Sequence, residues 1–160
     1  MAENENYMQV LVRTLQRQVE ALTDILEITK EQSRIAGAPD FDEAMLENTL
    51  NRKEILIAKL NELDDGFISV YNRVRRELQD NQDAYKEDIR QIQDLIKECT
   101  DLGVEIKVLE ERNREKLVRC FANKHKQYSS QKTAASVASQ YHQTMNNTKV
   151  MDSFFLDRKK

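Results

Sequence analysis

Apolar residues recur along this chain at spacings of three and four, in three long blocks separated by two short polar interruptions. In the first block Val12, Leu15, Val19, Leu22, Leu26 and Thr29 form such a row, and Leu11, Ile25 and Ile28 widen it. The second block carries Leu56, Leu60, Leu63, Phe67, Val70, Val74 and Leu78, with Lys53, Glu54, Lys59 and Glu62 around them. The third carries Ile92, Leu95, Cys99, Leu102, Ile106 and Leu109, then Asn113, Leu117 and Phe121. Alternating steps of three and four place a stripe on one face of a helix, and so narrow a stripe is buried only against partner helices. The pattern predicts helices over 6–36, 41–79 and 84–122 and a first domain over 1–122. The fold class is all-α, an elongated antiparallel three-helix bundle or coiled coil. The second helix, with RKEILIAKLNELDDGF at its centre, is expected to be the middle rail that holds the other two parallel.

Local chemistry places the boundaries. Asn6 and Gln9 have capping-box spacing at the start of the first helix, and Gly37 suits a left-handed C-cap at its end. Ala38 and Pro39 make a short turn, which forces the first two helices antiparallel. Asp40 and Glu43 form a second capping box, with Phe41 tucked against the end of the first helix. The cluster QDNQD over 79–83 supplies the other turn, with Asp80, Asn81 or Asp83 as a cap. Gly66 weakens the second helix by about 1 kcal/mol relative to alanine. The apolar period runs through it, which predicts one continuous helix. The steps from Asn113 to Leu117 to Phe121 are both four, which predicts a stutter. Asn113 there either fixes register or marks the opening of the bundle.

Past Phe121 the pattern changes. Ala134, Ala138, Tyr141 and Met145 recur at helical spacing in a polar context, and Val150, Met151, Phe154, Phe155 and Leu156 form a compact apolar cluster. The expectation for 123–160 is a helical tail, weakly ordered or packed on a partner. It docks on its own body, on another subunit, or on a client.

Composition narrows the class. Pro39 is the only proline, glycines number three, and β-branched residues nowhere alternate with period two for long, which excludes a sheet. The net charge of −3 is unevenly spread. Residues 123–160 hold seven Lys or Arg and two Asp, leaving 18 basic and 26 acidic residues before them. The body is thus −8 and the tail +5. Basic residues are scattered with few aromatics between them, which argues against nucleic-acid binding. The opening MAENENYMQV is acidic and polar, unlike a secretory leader, and no apolar run reaches the ~20 residues of a membrane span. Cys99 and Cys120 lie about 30 Å apart along one helix and cannot pair there. They read as reduced thiols of a cytoplasmic protein.

Catalytic chemistry is missing from the pattern. His125 and His142 lie outside any zinc spacing, no glycine-rich phosphate loop is present, and no Glu-x-x-His pair suggests a di-iron site. The expectation is a non-enzymatic protein without cofactors.

The segments ITKEQSRIAG, FDEAM, NRKEILIAKLNELD, LEERNREKL and the closing SFFLDRKK resemble the FlgN-like flagellar export chaperones. That resemblance implies a cytoplasmic type III secretion chaperone. It would hold hook-associated proteins by their C-terminal helical segments and prevent premature assembly. It also implies contact with the export apparatus, and a monomer or weak homodimer without nucleic acid or membrane insertion. Client recognition would fall to the end of the third helix and the tail: Leu117, Phe121, Tyr128, Val137, Tyr141, Met145, Val150, Met151, Phe154, Phe155 and Leu156. A coiled-coil scaffold or adaptor, or another helical chaperone of prefoldin or flagellar type, stays open beside it.

Overall fold

The computed structural model describes residues 2–124. They form three long helices: α1 over Ala2–Gly37, α2 over Glu43–Asp80 and α3 over Lys86–Lys124. At 1.5 Å per residue each is roughly 54 to 58 Å long. Two short turns make α2 antiparallel to both neighbours, and no strand occurs among the described residues. The all-α three-helix expectation holds.

The middle rail is α1, not α2. Backbone of α1 approaches both other helices, whereas no Cα of α2 comes within 8 Å of one of α3. The buried pattern explains this. α1 buries adjacent pairs, Ala21 with Leu22, Ile25 with Leu26, Ile28 with Thr29 and Ile35 with Ala36. So wide a stripe serves two partners. Apart from the pair Thr49 and Leu50, α2 buries single positions at steps of four and three: Leu46, Leu50, Lys53, Ile57, Leu60, Asp64, Phe67, Tyr71, Val74 and Leu78. Leu56, Leu63 and Val70 flank that seam, half-buried.

The seam of α3 is regular as well. Ile92, Ile96, Cys99, Gly103 and Ile106 are buried, Glu110 is nearly so, and Asn113 and Leu117 follow. The steps alternate four and three through Leu117, and the next buried position, Phe121, lies a further four on, so the two successive steps of four after Asn113 are present. Leu95, Leu102 and Leu109 stand half-buried beside the seam. Gly103 and Glu110 occupy seam positions that apolar spacing cannot mark.

The helix ends also differ from expectation. α1 starts at Ala2, because nothing in AENE interrupts a helix before Asn6. Gly37 closes α1 without a left-handed backbone, and Ala38 N–H donates to the Ile35 carbonyl at 3.3 Å. Asp42 caps α2 in place of Asp40; its carboxylate accepts from the N–H of Ala44 at 2.9 Å and of Met45 at 3.2 Å. The cause is Phe41. Its ring enters the core beside Leu46, a hydrophobic staple, so the chain stays extended through Asp42 before the helix begins. At the other turn Asn81 closes α2, its backbone N–H donating to the Glu77 carbonyl at 2.9 Å, rather than starting α3. Gly66 lies inside an unbroken α2, as the apolar period predicts.

Candidate interaction site

The core divides into three apolar clusters. One contains Leu11, Leu15, Phe67, Val74 and Ile92, and the second Leu22, Ile25, Ile57, Cys99 and Ile106. The third, at the end bearing the α1–α2 turn, contains Ile35, Phe41, Leu46, Leu50, Leu117 and Phe121. Between the second and third lies a layer of buried polar side chains drawn from all three helices.

Lys53 anchors this layer. Only 2% of it is exposed. Its Nζ forms an ion pair with Glu110 of α3, whose side chain is 14% exposed, and donates to Gln32 Oε1 at 3.2 Å. Gln32 Nε2 donates to Thr49 Oγ1 at 3.2 Å, and Thr49 Oγ1 donates to the Leu46 carbonyl at 2.6 Å. One turn along, Asn113 Nδ2 donates to the Thr29 carbonyl at 2.9 Å. Burial pushes the Lys53 ammonium below its ordinary pKa, and Glu110 counters part of that shift. A charge placed at a seam position is satisfied in only one alignment of the three helices, so the layer fixes register.

Beyond the layer, Phe41 and Phe121 meet edge to face, with ring centroids 5.5 Å apart. Cys120 donates its thiol to the Ala36 carbonyl at 3.5 Å. Outside this cluster the turn forms an open hollow of about 860 Å³. Ile35, Ala38, Phe41 and Met45 supply its apolar floor, and Met45 is 52% exposed. Asp40, Asp42 and Glu43 stand on its rim with Arg34. Glu31, also at the rim, is paired with Arg52 at 2.8 Å.

The residues expected to meet a client divide in two. Leu117 and Phe121, 8% and 2% exposed, are committed to the intramolecular cluster. Tyr128, Val137, Tyr141, Met145, Val150, Met151, Phe154, Phe155 and Leu156 lie outside the described residues, as do His125 and His142. Lys53, Glu110 and Met45 were not among the expected site residues. The clue to the first two was a charge falling on an unbroken step of four and three; nothing in the pattern marked Met45.

Cys99 is fully buried and its thiol is pushed up to about 12, chiefly by burial and then by the nearby Glu98 and Asp64 charges. Among the described residues no cluster of His, Cys, Asp and Glu could hold a metal ion, and no helix is long and apolar enough to cross a membrane. The chain matches no protein-family model, no curated protein and no solved structure.

Proposed function

We propose that this chain is a cytoplasmic chaperone of the flagellar type III export system, holding hook-associated proteins until export. The observation that carries the reading is how the apolar residues are divided. The bundle buries its own seam, Leu117 and Phe121 included, within a register fixed by polar contacts. The residues left for a partner follow Lys124, where a basic segment holds Tyr141, Met145 and the cluster from Val150 to Leu156. An acidic, self-sufficient rod followed by an amphipathic segment suits a carrier that covers the apolar face of a client helix. The resemblance of NRKEILIAKLNELD and SFFLDRKK to FlgN-like proteins names the client class. No nucleotide enters this step.

Titration calorimetry of the full chain against a C-terminal fragment of a hook-associated protein tests the proposal. The expected result is one-to-one binding, abolished by removing residues 125–160. No heat at concentrations on the order of tens of micromolar removes it.

A scaffold reading has one observation in its favour. Val104, Val108 and Val118 are half-exposed on the outer face of α3 at helical spacing. A lateral helical partner would use that face. Substituting Val108 by Arg would then abolish partner capture while leaving the hook-associated fragment bound.

A further inference from the structure

We propose that the hollow at the α1–α2 turn is the docking site for the chain's own residues 150–160, which seat their aromatic cluster on its apolar floor and their basic end on its acidic rim. This goes beyond the chaperone reading and stands without it.

Three observations converge on that occupant. The first is shape and chemistry. The hollow is open to solvent and at about 860 Å³ has room for several side chains of a docked segment. Its floor joins the buried Ile35 and Phe41 to the half-exposed Met45, so apolar area continues from core to solvent there. Phe154, Phe155 and Leu156 need such a surface.

The second is charge. Among the lining residues the acids Asp40, Asp42 and Glu43 outnumber Arg34, and the Asp42 carboxylate also caps α2. Glu31 is already neutralised by Arg52. The segment puts Arg158, Lys159 and Lys160 directly after the aromatic cluster, with Asp157 between. Apolar floor beside acidic rim thus matches apolar cluster beside basic end.

The third is where the chain leaves the bundle. Phe121, close to the end of α3, packs on Phe41, which lines the hollow. α3 therefore delivers the following chain to the rim of its own docking site. Residues 125–149 lie between, and extended chain covers about 3.3–3.6 Å per residue, so reach is no obstacle. The same hollow would then compete with any client for residues 150–160.

The test uses the full chain. It contains no tryptophan, so Phe155→Trp introduces a single reporter. The expected result is blue-shifted emission shielded from acrylamide, at protein concentrations low enough to exclude self-association. Met45→Lys and Asp40→Lys alter side chains exposed to solvent and leave the core intact. Each is expected to red-shift the emission and raise the quenching constant several-fold. Emission in the parent equal to that of a free peptide of residues 145–160 carrying the same Trp overturns the proposal. So does shielding that both substitutions leave unchanged, or that disappears on dilution. None of these readouts involves a client, so failure here and failure of the chaperone reading are separate results.

Discussion

Lys53 of α2 and Glu110 of α3 meet as an ion pair inside the bundle, although no Cα of one helix lies within 8 Å of a Cα of the other. Long side chains bridge the space, and Gln32 of α1 completes the contact from the third side. Removing one partner leaves a buried charge with its attraction gone. Glu110→Leu is therefore expected to cost about 3–5 kcal/mol in urea unfolding. Lys53→Met together with Glu110→Leu is expected to restore stability to the parent level or above it. The exposed Arg52–Glu31 pair serves as control, with an expected cost of under about 1 kcal/mol. A Glu110→Leu cost as small as that control would contradict the buried pair.

That pair was invisible to apolar periodicity, and the reason is general to this chain. The fold class, the three blocks, the continuity of α2 through Gly66 and the burial of Phe41 follow from spacing and turn residues. The seam itself was misread wherever a seam position lacks a hydrophobe. In α2 the true row passes through Lys53 and Asp64, and in α3 through Gly103 and Glu110. Reading only apolar residues shifted the α3 stripe onto Leu95, Leu102 and Leu109, although the two steps of four after Asn113 belong to the buried row as well. The central place of α1 was legible in Ile25 and Ile28 beside Leu26 and Thr29, since a doubled stripe means two neighbours. The hollow was not legible, because it depends on Phe41 entering the core and carrying the cap from Asp40 to Asp42.

Two buried groups give opposing slopes in alkali. Burial lowers the Lys53 pKa below 10.5. The unfolded chain thus holds the extra proton between the folded pKa and 10.5, and stability rises with pH through that window. The Cys99 thiol is raised from 9.0 to about 12. Here the folded chain keeps a proton that the unfolded chain loses, so stability falls as pH climbs above 9.0. Urea midpoints from about pH 8 to about pH 11 separate the two. Cys99→Val is expected to remove the fall, and Lys53→Met to remove the rise. A Cys99→Val curve parallel to the parent would show that the thiol ionises normally in the fold.

Asn113 tests the register argument from the other side of the polar layer. It is buried, its Nδ2 donates to the Thr29 carbonyl, and its Oδ1 accepts no hydrogen bond. An open buried acceptor costs on the order of 1–3 kcal/mol. Asn113→Leu at this seam position is therefore expected to raise the urea midpoint. If the layer specifies alignment, the variant also gains a second species by size-exclusion chromatography, because one apolar seam accepts more than one register. A stabilised variant that stays a single species would assign register to Lys53 and Glu110 alone.

Gly66 separates a hinge from a tolerated weak point. It sits inside α2 on the exposed face, and a Cβ added there meets nothing within 4 Å. The backbone is helical, so alanine fits without strain and loses less entropy on folding than glycine. Gly66→Ala is expected to stabilise by about 0.5–1 kcal/mol. For a chain of this size that raises the thermal midpoint by roughly 1–4 °C. Client binding is expected to stay unchanged, because the residues proposed to meet the client follow Lys124. Weaker binding with higher stability would instead mean that α2 bends at Gly66 during capture. Lower stability would mean that the helix is not straight there in solution.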